Sequence, residues 1–378
     1  MREFESYIPH FKLAAAQVAP VYMNRAETVE KACHVVEEAA KNGANIVGFP
    51  ECFIPGFPTW VYAGSPIYDT LNFFEQYVKN SVEIPSKWTD ILCDIAKQNQ
   101  IYIVIGMSEK DRYSSSTLFQ TQLFISNKGE ILGRHRKIVP TYAEKLIFTG
   151  GDGSTLSVFK TEYGELGGLN CGENNNPLAK FALIAQGIKI HVASWPMPGA
   201  FPFNFRDMII PCVREFAYEA KAFVINSSAV VTPEIKETLL EYAKTAKPVF
   251  ERDIQLGGGV SCIISPMFGR VIAQADPEKE MIVYADCDLS EHYKSKANHD
   301  LLGNYNRPDI FKFIFNKKAQ RLVEVNETIK EGVNYLLELL PIEKRKALEE
   351  RASAEGKSVD KAIMDLIENY LKHANPKS

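Results

Sequence analysis

The stretch FKLAAAQVAPVYMNRAETVEKACHVVEEAAKNGANIVGFPE (residues 11–51) sets the architecture. FKLAAAQV (11–18) reads as a buried strand, residues 25–42 put Val29, Ala32, Val36 and Ala39 on one helical face, and ANIVGFPE (44–51) reads as a second strand. Apolar runs of strand length on either side of a stripe with 3.6-residue spacing make a β-α-β unit. The alternation continues with a helix over about 86–99 and a strand at IYIVIGM (101–107). TLFQTQLFIS (117–126) and EILGRHRKI (130–138) flank Asn127-Lys128-Gly129, which reads as a hairpin. Further strands are expected at 154–160, 165–170, 188–195, 223–231, 259–266, 270–275 and 281–287, with helices at 177–187, 206–222 and 233–245. Crossovers and hairpins together require mixed sheets. Two sheets with helices outside them fit better than one doubly wound sheet.

At 378 residues, with 46% hydrophobic and 24% charged residues, the chain has the composition of a folded α/β protein. A net charge of −4 provides no global field for nucleic acid or anionic lipid. The start, MREFESYIPHFK, has no apolar run of signal-peptide length, and no stretch reaches the roughly 18 apolar residues of a membrane span. Seven cysteines at 33, 52, 93, 171, 212, 262 and 287 contain no CxxC pair. Neither a disulfide framework nor a zinc cluster is indicated, and the expected compartment is the cytoplasm.

Three segments carry candidate chemistry. In GGLNCGENNNPLAKFALIAQG (167–187) a strand ends near Asn170, Cys171 occupies the turn, and a helix begins near Pro177. A cysteine there faces a cleft, among backbone N–H groups that can lower a thiol pKa and hold developing negative charge. The alternative is a small buried hydrophobe, the usual state of a free cysteine. In GRHRKIVPTYAEKLIFTGGDG (133–153), strand alternation puts His135 and Lys137 on one face and Arg134 and Arg136 on the other. Lys137 is either directed inward or a solvated charge at a sheet edge. Glu144 follows in a short helix, where it is a candidate site residue or a surface partner of a lysine. In ANIVGFPECFIPGFPTW (44–60), Glu51 closes an apolar strand, the end at which α/β sheets place ligands. Half-burial there would raise its pKa and suit a general base. Cys52 is a rival nucleophile without a following helix.

Together these segments resemble the nitrilase branch of the carbon–nitrogen hydrolase superfamily. The matching motifs are Glu51 in FPE, Lys137 in HRKIVPT, Glu144 in PTYAEK, Cys171 in LNCGEN, and NYNRPDIFKFIFN (304–316). The resemblance covers roughly 10–316 and implies a four-layer αββα sandwich, a nitrilase-like domain over 1–316, and no metal or organic cofactor. It implies Cys171 as nucleophile, Glu51 as base, Lys137 as stabiliser of the intermediate and Glu144 as its support. Gly172, Glu173 and Asn174 are candidates for binding substrate, with Phe57, Trp60 and Trp195 as aromatic walls. The expected reaction converts a nitrile to a carboxylic acid and ammonia, with an amidase as the alternative. Where the family usually carries Trp after the cysteine, Gly172 stands here, which keeps both reactions open. A Cys-His protease has no signature around His135 or His191. The resemblance also implies a homodimer or larger spiral.

The 317–378 extension is charged and helical in pattern, and 333–372 resembles a ribbon-helix-helix module. Leu348 and Ala352 share one face, Gly356 and Ser358 mark a break, and Val359, Ile363, Leu366, Ile367 and Tyr370 form a stripe. The candidate strand VNYLLELL (333–340) carries Glu338 and no Lys or Arg, so self-association is expected rather than DNA binding. A hairpin folded on its own subunit is the other reading.

Overall fold

The computed structural model describes residues 9–114, 116–320, 337, 340–359 and 361–366. The chain divides into two compact units, 1–319 and 320–378.

In the first unit, β1 (His10–Gln17) and β2 (Ile46–Gly48) run parallel and are joined by α1 (Arg25–Lys41), whose first turn is capped by the Asn24 side chain. Next come α2 (Trp60–Ala63), a π-turn at Pro66–Thr70, α3 (Leu71–Asn80) and α4 (Lys87–Asn99). β3 (Tyr102–Lys110) lies parallel to β2, and β4 (Leu118–Ile125) and β5 (Ile131–Arg136) add antiparallel. The second half runs β6 (Phe159–Thr161), β7 (Gly164–Asn170), α5 (Pro177–Ile184), β8 (Ile190–Trp195), α6 (Arg206–Ala220) and β9 (Phe223–Ser228). It continues through α7 (Pro233–Tyr242), α8 (Lys247–Asp253), β10 (Cys262–Ser265), β11 (Arg270–Gln274), β12 (Met281–Asp288) and α9 (Ser290–Asn298).

These strands form two six-stranded sheets, ordered β12-β1-β2-β3-β4-β5 and β11-β10-β9-β8-β7-β6. Three apolar clusters define the layers. α1 and α4 cover the outer face of the first sheet through Val29, Val36, Leu92 and Ile95 against Ala14, Val47 and Ile103. α5 and α6 cover the second through Leu183, Val213 and Phe216. Between the sheets, Leu13, Ile46 and Val104 meet Ile190, Val192 and Ile225. The result is the αββα sandwich that the resemblance implied, with the two sheets and outer helices expected from the alternation.

The sheets approach closely at Gly48. A Cβ there would lie 2.8 Å from Ile225 Cγ2 and 2.9 Å from Val192 Cγ1, and Ser227 Oγ donates to the Gly48 carbonyl at 2.8 Å. Gly48→Val is therefore expected to overpack the interface, destabilise the fold by about 1–3 kcal/mol and lower the melting temperature. An unchanged melting temperature would contradict this account of the sheet contact.

One local expectation changes. Of 154–160 only its end is strand, in Phe159–Thr161, because the preceding residues make turns. The segment that carries the expected aromatic walls Phe57 and Trp60 is partly helical, with α2 leading through the π-turn into α3.

In the second unit, α10 (Ile342–Ala354) is followed by Gly356 at φ +63° and by helical residues 359 and 361–366. Ala352, Ala362 and Ile363 are buried, whereas Leu366 is 42% exposed, so the stripe is only partly covered. Of the candidate strand over 333–340, Leu337 is helical and Leu340 is in a bend; the other residues lie outside the described ones, as do Ile367 and Tyr370. Among the described residues, no helix is long and apolar enough to cross a membrane.

Candidate active site

Four side chains from separate segments meet where the two sheets face each other. Glu51 lies just beyond β2, and its backbone N–H donates to the Trp195 carbonyl of the opposite sheet at 3.0 Å. Its side chain is buried; Oε1 accepts from Lys137 Nζ at 2.8 Å and Gln120 Nε2 at 3.1 Å, while Oε2 has no partner. Lys137 follows β5 directly, held by its backbone N–H to Gln120 O at 2.8 Å. Its buried ammonium bridges Glu51 Oε1 and Glu144 Oε2, each at 2.8 Å. Glu144 sits in a single 3-10 turn, Tyr142–Leu146. Its Oε2 also caps that turn by accepting from Thr141 N at 2.6 Å, and its Oε1 accepts from the Tyr62 hydroxyl at 3.0 Å.

Cys171 comes from the other sheet, at the junction of β7 and a 3-10 turn, Cys171–Asn175. Its φ of +44° lies in the left-handed region, which costs a non-glycine residue about 1–3 kcal/mol and makes the chain reverse sharply. The residue is partly exposed, and the Gly172 N–H donates to the sulfur.

The electrostatics follow from burial. Desolvation pushes the Glu51 carboxyl up; Lys137 opposes this, Glu144 adds to it, and the result is about 8. For Lys137 desolvation disfavours the ammonium, but Glu51 and Glu144 outweigh it and hold the pKa well above the usual value. Burial and then the Glu51 charge raise the Cys171 thiol well above its ordinary value, against the opposing pull of Lys137 and the Gly172 N–H. The Gly172 N–H lowers the thiol pKa, as the turn position leads one to expect, but burial outweighs it. Burial thus favours the protonated form of the sulfur.

The other candidates divide into groups. Gly172 lies beside the sulfur, and a Cβ there would meet only Thr141 Oγ1, at 3.3 Å. Glu173 is buried and its oxygens go to protein groups: His135 Nε2 at 2.9 Å, Asn170 N at 3.0 Å and Ile138 N at 2.7 Å. Asn174 is likewise buried, bonded to the Cys171 and Leu169 carbonyls and to His191 Nε2. Trp60 stacks on Phe73 at 5.2 Å, Trp195 is enclosed against α5 and α6, and Phe57 packs behind Tyr62 and Phe201. Cys52 is 1% exposed in an apolar cluster.

Gln120 and Tyr62 entered no expectation as polar partners of the carboxylates. Gln120 left a signal: with Thr121 and Gln122 it makes a buried polar run in a strand that is apolar on either side. Nothing local in the sequence links Tyr62 to Glu144, 82 residues away. Among the described residues, no group of three or more His, Cys, Asp or Glu side chains could hold a metal.

The chain is similar to known proteins over most of its length. The carbon–nitrogen hydrolase family profile matches residues 12–297. An aliphatic nitrilase of Rhodococcus rhodochrous is 35% identical over 316 residues, covering 82% of this chain and 84% of its own length. A nitrilase of a Bacillus strain is 34% identical over 333 residues, 87% of this chain and 95% of its own. An arylacetonitrilase of Aspergillus oryzae is 36% identical over 310 residues, 79% of this chain and 89% of its own. Among solved structures, a Saccharomyces cerevisiae protein of branch 10 of the nitrilase superfamily superposes with a TM-score of 0.62 at 19% identity, over 79% of this chain and 97% of its own. That likeness is one of fold.

Proposed function

This chain belongs to the carbon–nitrogen hydrolase family, and from that premise we propose that it hydrolyses a nitrile to the carboxylic acid and ammonia, with Cys171 as nucleophile. It is a hydrolase of carbon–nitrogen bonds. Glu51 Oε2 takes the thiol proton, and the sulfur attacks the nitrile carbon to give a thioimidate. A first water adds to it; the nitrogen takes up protons and leaves as ammonia, giving a thioester. A second water releases the acid and restores the thiol. Two waters are consumed for each nitrile, giving one acid and one ammonia. Lys137 and the Gly172 N–H stabilise charge on the intermediate, and Glu144 fixes Lys137.

One observation carries these roles. Of the four carboxylate oxygens around Lys137, only Glu51 Oε2 is unpartnered, and both oxygens of Glu144 accept hydrogen bonds. Relatives named as nitrilases, each matched over most of its length, support a nitrile rather than an amide as substrate. Ammonia release from aliphatic, aryl and arylacetonitriles, each beside its matching amide, tests the reading. Nitrile turnover by the wild type supports it; release from amides alone makes the protein an amidase.

The domain reading assigns the chemistry to 1–316 and self-association to 317–378, through a ribbon-helix-helix-like arrangement over 333–372. Gly172, with Phe57, Trp60 and Trp195 behind the pocket wall, would shape the substrate site. The chain would act in the cytoplasm as a homodimer or larger spiral, without a cofactor. Truncation after Ala319 is then expected to reduce oligomer size in light scattering while leaving Glu51, Lys137, Glu144 and Cys171 in place. A truncated chain with the wild-type mass distribution would remove the association role.

A further inference from the structure

The four site residues are divided between the sheets. Glu51, Lys137 and Glu144 follow β2 and β5 of the first sheet, whereas Cys171 follows β7 of the second. Proton transfer and charge stabilisation require their relative positions to hold within a fraction of an ångström. Apolar packing between sheets does not by itself fix such a register.

Hydrogen bonds cross the sheets near the site, from the Glu51 N–H to the Trp195 carbonyl and from Gln122 Nε2 to the Leu169 carbonyl, and the Glu173 carboxylate joins the strand end after Lys137 to the residue before Cys171. Glu173 Oε1 accepts from the backbone N–H of Ile138, the residue after Lys137, at 2.7 Å. Its Oε2 accepts from the backbone N–H of Asn170, the residue before Cys171, at 3.0 Å. The His135 imidazole, two residues before Lys137, donates from Nε2 to the same Oε2 at 2.9 Å. The carboxylate is buried, but desolvation is outweighed by His135 and these two N–H groups, which hold its pKa below the ordinary value.

We propose that Glu173 is a positioning residue that ties the strand end carrying Lys137 to the turn carrying Cys171. This rests on Cys171 being the nucleophile. Glu173 does not bind substrate, because both of its oxygens are taken by the two strand ends and His135. A glutamate suits the task because a carboxylate accepts at two oxygens, so one group can receive the main-chain donors of both segments. An amide has one accepting oxygen and would turn its NH₂ toward one of those donors.

The test uses the full chain with Glu173→Gln, which keeps the shape, and Glu173→Asp, which keeps the charge but is one methylene too short to reach both strand ends. Steady-state kinetics on a nitrile that the wild type turns over are measured with thermal melting, beside Cys171→Ala. Both Glu173 variants are expected to melt within a few degrees of the wild type and to lose kcat by about 100-fold, with KM changed less than about threefold. A variant that merely loosened the fold would lower the melting temperature and leave kcat per folded molecule near normal. A folded Glu173 variant with kcat near wild type overturns the proposal. So does loss of folding in both, since the claim concerns site geometry rather than stability. Turnover by Cys171→Ala would instead overturn the nucleophile assignment, so the two failures are separate.

Discussion

Cys171→Ala is expected to lower nitrile turnover by about 10,000-fold or more, with the melting temperature within a few degrees of the wild type. No water in the pocket can replace the sulfur, because a nitrile carbon is a weak electrophile and the scheme depends on a covalent intermediate. The small effect on folding follows from position: Cys171 is partly exposed at a turn and packs only at the edge of the cluster beneath α5 and α6. Cys52 is the control. It sits next to Glu51 in sequence, but it is 1% exposed among apolar residues, and burial followed by the Glu51 charge raises its thiol well above the usual value. Cys52→Ala should leave turnover within a few-fold of the wild type. Equal losses in the two variants would remove the distinction.

The second large effect is in the base. Glu51→Gln keeps the shape and the contact to Gln120 but removes the proton acceptor. Turnover is expected to fall by about 1,000-fold, as is the rate of Cys171 alkylation by iodoacetamide. The pH dependence gives the sign. A base at Glu51 would act only when ionised, and burial lifts its pKa to about 8. Wild-type kcat/KM should therefore fall as pH drops through that region, well above the ordinary carboxylate range. Because the thiol is itself raised, it does not become a thiolate by titration near neutrality. An acid limb near pH 4 to 5, typical of an exposed carboxylate, would show that Glu51 is not the titrating base.

Much of this was legible in the sequence because it is local. Apolar runs and helical stripes from 11 to 138 have fixed periods, and the observed boundaries differ by only a few residues. The alternation that paired His135 with Lys137 holds, since both are buried while Arg134 and Arg136 turn toward Glu109 on the other face. Depth was harder to read. Glu51 was expected half-buried and is 1% exposed, because it follows a central strand of one sheet and faces the other, which the sequence does not place in space. The same limit hid Glu173, whose partners are at 135, 138 and 170. Its neighbours Gly172 and Asn174 gave it the look of a substrate contact, and only the crossing of the sheets shows what its oxygens reach. Tyr62 to Glu144 is another such pairing, formed across 82 residues of chain.

The most direct measurement is mass spectrometry of the wild-type protein, quenched in acid during turnover of a slow nitrile and then mapped by peptide. The account predicts an adduct of the acyl mass, or of the corresponding imidate, on the peptide containing Cys171, absent in Cys171→Ala and reduced in Glu51→Gln. An adduct on the Cys52 peptide, or sustained turnover by Cys171→Ala, would contradict it.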